Sequence, residues 1–257
     1  MARVSRPLAQ VLEPRSGDRG SGRGLPARLG LGAAAAAVIA IPFTLLMLLV
    51  LSKWKPLDRL DKGVASDLHR AVLGHSRTIN LLELGANVFD PWTFRVLVTA
   101  VAVWLWWRGA RRLALWAVVT MVIGGVLSVA LKVIVNRSRP VFPDPVTTAS
   151  GYSFPSGHAL NSMLGVGILV LVFLPVLGHV GRIIVYSVGA AVVVVTGYDR
   201  VALGVHYLSD VIAGWVVALA CLAGTGIAFE VWRREHGKRP TDVEHGIDPE
   251  AAASMRQ

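Results

Sequence analysis

The stretch LALWAVVTMVIGGVLSVALKVIV, residues 113–135, decides the fold. It carries a single charge, Lys132, close to its end. A helix needs roughly 20 apolar residues to cross the hydrocarbon core of a bilayer, and this stretch has that length. Basic Arg108-Gly-Ala-Arg-Arg112 precedes it as a tight loop, and before that loop Pro91 to Trp107 reads as another span. Trp104, Trp106 and Trp107 at the end of that earlier span have the character of an interfacial belt. On the other side, Asn136 to Gly157 is a loop rich in Pro and Ser, followed by apolar runs at His158–Gly178, Arg182–Tyr198 and Ser209–Trp232. With Leu29–Ser52 near the start, six spans result.

The chain of 257 residues is 54% hydrophobic, with a mean hydropathy of +0.57. Together with the long apolar runs, this defines an all-α polytopic membrane protein built as a six-helix bundle. The expected organisation is a disordered basic tail (1–28), one membrane domain (29–232) and a polar tail (233–257), both tails cytoplasmic. No small-residue cleavage site follows the first run, so it is read as a retained span, with Pro42 as a possible kink. Lys53 to Asp90 is polar, but Val64, Leu68, Ala71 and Val72 fall at helical spacing, as do Leu81, Leu82 and Leu84. Short interfacial helices are expected in this first outer loop.

The formal net charge is +10. Six spans put both termini on one side. That side holds six Lys or Arg in the N-terminal tail, three in Arg108–Arg112, Arg182, and five in the C-terminal tail, against 11 on the other. The bias is strongest in the short loops, which places the termini in the cytoplasm. Membrane anchoring accounts for the basic residues, so nucleic-acid binding is not expected. A single cysteine, Cys221, excludes an internal disulfide and any Cys-based metal site.

The polar residues that interrupt this pattern fall at one membrane face. Lys132 and Arg139-Pro140 lie at the end of the third span, Pro155-Ser156-Gly157-His158 opens the fourth, Arg200 closes the fifth, and His206 and Asp210 open the sixth. Ionisable groups placed centrally in a membrane helix cost about 2.5–3.5 kcal/mol each. Three permanent cations brought together also repel one another. A multiply charged anion justifies such a cluster, and phosphate suits it: Arg offers paired hydrogen bonds and Lys a point charge. His206 and Asp210, four apart, share a helix face if the sixth span begins that early. The carboxylate would then hold one imidazole nitrogen and leave the other free to attack. Lys132 and Arg139 are seven apart, two turns or roughly 10 Å if helical. The Ser156-Gly157 turn before a helix presents free backbone N–H groups to an anion.

These residues resemble the three motifs of the type-2 phosphatidic-acid phosphatase family, also known as the acid phosphatase and vanadium haloperoxidase superfamily. The family's Lys, six residues, Arg-Pro is here Lys132 to Pro140, and its Pro-Ser-Gly-His is Pro155 to His158. Its Ser-Arg, five residues, His, three residues, Asp runs from Asp199 to Asp210, with Asp199 in place of the usual serine. The resemblance covers roughly Pro56 to Trp232. It implies that Lys132, Arg139, Arg200, Ser156 and the Gly157 N–H bind the phosphoryl oxygens. It implies that His206 is the nucleophile, Asp210 its orienting carboxylate, and His158 the acid that protonates the leaving alkoxide. No metal and no other cofactor is expected.

The resemblance implies hydrolysis of a lipid phosphate: phosphatidate, phosphatidylglycerol phosphate or a polyprenyl diphosphate; the span count and charge bias put the site at the outer face, and the Arg- and Ala-rich style of the chain leans towards a bacterial plasma membrane. Phosphoryl transfer to another acceptor, a lipid-phosphate transporter or binding protein, and sugar-phosphate hydrolysis remain alternatives. His69, His75, His179, His236 and His245 have no metal-ligand spacing and are read as structural or solvated. Asp144 is read as a loop residue, and Arg137 as a source of field or a head-group contact.

Overall fold

The computed structural model describes residues 24–238, 240–241 and 246–256, with side chains from residue 38 onward. The expected disordered tail therefore lies mostly outside the described residues, as does His245. Among the described residues the chain is all helix, without a strand. Helix α1 spans Gly24–Leu51, α2 Lys55–Val72, α3 Ser76–Val88, α4 Pro91–Trp107, α5 Arg111–Val135, α6 Gly157–Phe173, α7 His179–Ala202, α8 Leu208–Glu235 and α9 Ala252–Arg256.

Five helical stretches are long and apolar enough to cross a membrane: Ser76–Trp107, Arg111–Val135, Gly157–Val176, His179–Ala202 and Leu208–Glu235. The described part of α1 with α2 makes a sixth candidate, bent by 88°. Helix α1 continues through Pro42, and the chain turns only after Leu51, where Lys53 adopts φ 50°. Helix α3 runs on into α4 as a stretch of 32 residues. At 1.5 Å per residue this is about 48 Å, well beyond a hydrocarbon core of about 30 Å. The junction is built by Asp90, which caps α4 by accepting from the Trp92 N–H at 2.8 Å, and by Pro91 at the first helical position.

Helix α6 is the axis of the bundle, packed against α4, α5, α7 and α8. Its Leu160, Leu164, Ile168 and Val172 are fully enclosed, repeating at the helical period, and they meet Phe94, Val98 and Leu105 of α4 and Ala218 and Leu222 of α8. Lipid tails are as apolar as these side chains, so close van der Waals packing rather than water exclusion holds the helices together. Thr120 of α5 adds a half-buried hydrogen bond to Thr225 of α8, 2.9 Å. The lipid-facing surface is apolar, with Val122, Val126, Val129 and Val133 of α5 exposed.

The segment read as a polar tail is partly packed. Helix α8 continues to Glu235, and residues 246–256 fold back so that Ile247, Ala251 and Met255 join the core. Buried Arg233, paired with Glu230 on its own helix (2.9 Å), anchors them through Asp248 (3.5 Å) and Glu250 (3.5 Å). The opposite end of the bundle gathers the starts of α4, α6 and α8, the ends of α5 and α7, and helix α2. There the polar residues collect.

Candidate active site

The loop after α5 brings the first two cations together. Asn136 terminates α5 in the left-handed conformation, φ 48°. Pro140 then disfavours helix at Arg139. The seven-residue interval from Lys132 to Arg139 is thus not two helical turns. Instead the loop doubles back, Ser153 N–H donating to Arg137 O at 2.9 Å. Lys132 Nζ donates to Tyr152 O at 2.8 Å, and Arg139 Nη2 reaches the same oxygen at 3.4 Å. Arg139 also donates to Ser150 O (3.0 Å), Gly151 O (3.0 Å) and Val205 O (2.8 Å). These backbone contacts fix the guanidinium in place.

The α7–α8 turn supplies the histidine and the carboxylate. Gly204, φ 73°, lets the chain reverse, and Arg200 O accepts from the N–H groups of Val205 and His206, each at 3.2 Å. Helix α8 starts only at Leu208, so His206 stands two residues before it rather than on its first face. The pair still meets, because Asp210 turns back as part of a capping box and accepts from the Tyr207 N–H at 2.9 Å. His206 Nδ1 lies 3.5 Å from Asp210 Oδ2. Its Nε2 lies 3.1 Å from Arg139 Nη1. A guanidinium only donates, so Nε2 is the acceptor and the ring proton belongs on Nδ1, facing the carboxylate. The free lone pair thus points into the cation cluster.

At the start of α6, Ser156 caps the helix through its Oγ, which accepts from Ala159 N–H at 3.4 Å. That bond uses only the oxygen and leaves the hydroxyl hydrogen available. The N–H groups of Gly157 and His158 are orphan donors of a helix start. Ser156 N–H donates to Asp210 O at 2.9 Å, tying α6 to α8. This closeness depends on Gly214: a Cβ there would sit 2.8 Å from Ser156 O and 3.0 Å from Leu160 N. His158 Nε2 lies 3.5 Å from Arg200 Nη1 and 3.6 Å from Asp90 Oδ2. One nitrogen thus faces a donor and an acceptor: neutral it can accept from Arg200, and protonated it can pair with Asp90.

Arg200 is buried and bonded through Nη2 to Asp199 Oδ2 at 2.6 Å. The residue standing where serine was expected therefore binds the third cation directly, and Nη1 is left facing His158. Burial lowers the His206 pKa to about 4, with Arg139 and Lys132 adding to the effect and Asp210 opposing it. Burial also lowers that of Arg139, helped by neighbouring Arg200. His206 is accordingly held as the neutral imidazole near pH 7.

Every predicted site residue lies at this end: Lys132 and Arg139 converge on one carbonyl, Arg139 reaches His206, and Arg200 reaches His158. Sequence reasoning passed over Asp61, Asp90 and Ser209. Asp61, fully buried, lies with Ala65, His69 and Val72 on the inner face of α2, which shares only Val72 with the predicted apolar stripe. A carboxylate at helical spacing with buried residues was the signal. His69 is buried, stacked on Phe142 at 4.1 Å, with Nε2 3.0 Å from Asp144 O. It holds the α5–α6 loop against α2. Exposed His75 contacts only Leu73 O, 3.1 Å, among the described side chains.

The fold and the site define a polytopic helical membrane protein with three cations gathered near a buried, carboxylate-paired histidine. The family model of the PAP2 superfamily matches residues 113–234 of the chain. The chain is 34% identical to phosphatidylglycerophosphatase B of Bacillus subtilis over 96 residues, 36% of this chain and 46% of the relative. It is 31% identical to undecaprenyl-diphosphatase of Sulfolobus acidocaldarius over 142 residues, 52% of this chain and 61% of the relative. The matches thus span about half to three-fifths of those relatives' length. The fold is shared with the crystal structure of a transmembrane PAP2-type phosphatidylglycerolphosphate phosphatase from Bacillus subtilis: TM-score 0.65, 19% identity, 77% of this chain and 97% of that one.

Proposed function

We propose that this protein hydrolyses a lipid phosphate monoester or diphosphate without a metal, through a phosphohistidine, at the outer surface of the membrane. The observation that carries this reading is the direction of the His206 lone pair. Nε2 points at Arg139, within the group of cations that would hold the phosphoryl oxygens. A phosphoryl group held there is presented to a neutral imidazole whose proton faces Asp210.

In the first step His206 Nε2 attacks phosphorus as the bond to the leaving oxygen breaks. The charge developing on the imidazole is balanced by Asp210. His158 gives its proton to the departing alkoxide or phosphate; Asp90 Oδ2 supports the protonated form before transfer and Arg200 the neutral form after it. In the second step a water gives a proton to His158 and its oxygen attacks the phosphohistidine, releasing inorganic phosphate and restoring His206. Lys132, Arg139 and Arg200 face the charge that spreads over the phosphoryl oxygens, with Ser156 and the Gly157 N–H.

A lipid substrate suits the rim. Beside Asp90 and His158, Leu81, Leu84, Val88 and Trp92 are all exposed and apolar, Trp92 at 69%. A tail can stay in the bilayer along this edge while its phosphate reaches the pocket. The relatives' names point to phosphatidylglycerophosphate and undecaprenyl diphosphate as first substrates to try, with phosphatidate. The positive-inside bias supports an outward-facing site.

The test is phosphate release from mixed micelles of the purified protein with those three lipids and a soluble sugar phosphate, each with and without EDTA. Lipid hydrolysis that survives EDTA is expected. Release only from the sugar phosphate, or only with added metal, would overturn the reading.

A further inference from the structure

We infer that Asp61 and Arg137 are positioning residues that hold Asp210, and through it His206, in the attacking geometry, so that helix α2 is a working part of the site. This rests on the proposed role of His206 as nucleophile.

The observation is a closed ring of polar groups from three elements, in which half-buried Arg137 meets a buried serine and two buried carboxylates. Arg137, from the α5–α6 loop, donates from Nη1 to Asp210 Oδ1 at 2.7 Å and to Ser209 Oγ at 2.7 Å. Its Nη2 donates to Asp61 Oδ2 at 2.8 Å. Asp61 Oδ1 accepts from the Ser209 N–H at 3.0 Å, and its Oδ2 from the Ser209 hydroxyl at 2.5 Å. Asp61 and Asp210 are both at 0% exposure and Ser209 at 2%. Tyr207 covers the guanidinium face at 4.2 Å. Burial works against the Arg137 charge, but Asp210 and Asp61 outweigh it and raise its pKa.

This geometry separates Arg137 from the phosphate cations. Both of its terminal nitrogens are bound to carboxylates, so it is neither a head-group contact nor a ligand for the phosphoryl group. Its place in the sequence, within the Lys132–Pro140 motif, suggested otherwise. Asp210 is gripped on Oδ1 by Arg137 and on Oδ2 by the Tyr207 N–H, which leaves Oδ2 only one direction in which to face His206. A carboxylate held by one oxygen alone could rotate away. Two carboxylates share one guanidinium, so the group retains a net negative charge to set against the imidazolium formed on attack.

Arg137 is also reachable. A polar groove of about 320 Å³ opens onto it, lined by Asp58, Lys62, Asn136 and Tyr207. A small planar cation could enter an emptied site there, which permits a chemical rescue that a purely structural role would not show.

The experiment measures kcat and KM for phosphate release from a lipid phosphate by wild type, Arg137→Ala, Arg137→Lys, Asp61→Asn and His206→Ala, with thermal melting in detergent for each. For Arg137→Ala we expect kcat to fall about 10–100-fold, the scale of a misplaced catalytic group, with KM changed less than about threefold. Millimolar guanidinium should restore much of the lost kcat to Arg137→Ala and none to His206→Ala. Arg137→Lys, which keeps the charge but not the fork, should also lose kcat, and it serves if the alanine variant does not fold. Unchanged kcat in folded Arg137 variants, a loss confined to KM, or a folded Arg137→Ala that guanidinium does not restore would overturn the inference. Full activity in His206→Ala would instead overturn the reading on which it rests.

Discussion

Replacing Gly214 with alanine tests how the two halves of the site are joined. The added Cβ would lie 2.8 Å from Ser156 O, 3.0 Å from Leu160 N and 3.2 Å from the Ala159 Cβ. Two of these are backbone atoms of the first turn of α6, so no flexible side chain can yield. An ordinary contact needs about 3.4 Å or more, so α6 and α8 must part by about half an ångström. Overpacking of this kind costs about 1–3 kcal/mol. The separation falls where Ser156 N–H meets Asp210 O and where α6 presents Ser156, Gly157 and His158. A misplacement of about 1 Å can cost about a hundredfold in rate, so a shift of half that size should lower kcat about tenfold. The assay is phosphate release from mixed micelles, with melting in the same detergent to count the folded fraction. Wild-type kcat in a variant that melts with wild-type protein would refute the reasoning, because the close approach would then not position the site.

Three further predictions rest on the electrostatics. His206 must be neutral to attack, and its pKa is lowered to about 4, so the acid limb of kcat/KM should have its midpoint near 4, while the alkaline limb follows loss of the His158 proton; an acid midpoint near the ordinary histidine value would contradict the burial of the ring. Stability should follow the same sign, since the unfolded chain takes up this proton first: the His206 contribution is full above the ordinary pKa of about 6.5 and is lost as pH falls through about 4. Asp199→Ser frees Arg200 Nη2 and removes a neighbouring negative charge, so inorganic phosphate should inhibit about tenfold more tightly, about 1.4 kcal/mol; unchanged or weaker inhibition would show that Asp199 does not compete with the anion.

Much of this architecture was legible in the chain because each crossing helix announces itself by length and hydropathy. Helix ends were less legible. Arg200 proved to lie inside α7 and His206 outside α8, since local capping by Asp210 and the turn at Gly204 set those boundaries, and apolar content does not report them. The site residues could be named because their intervals are local: motif spacing brings Lys132 near Arg139 and His206 near Asp210. Their geometry could not be named, because Lys132 meets Arg139 through a loop that doubles back rather than along a helix. Asp61 is 76 residues from Arg137 and 148 from Ser209, and only the fold brings them into contact. The single local clue was a carboxylate sharing a helix face with Ala65 and Val72. Asp90 was similarly hidden, since its visible task is to cap α4.

The central claim is that His206 carries the phosphoryl group between substrate and water. The measurement that tests it most directly is acid-free quenching of the enzyme during turnover of a lipid phosphate labelled in its phosphoryl group, followed by recovery of the labelled protein segment. A covalent label is expected that is lost in acid, is stable in alkali, lies on the segment containing His206, and is absent from His206→Ala. A label on any other residue, or full turnover by His206→Ala, would contradict it.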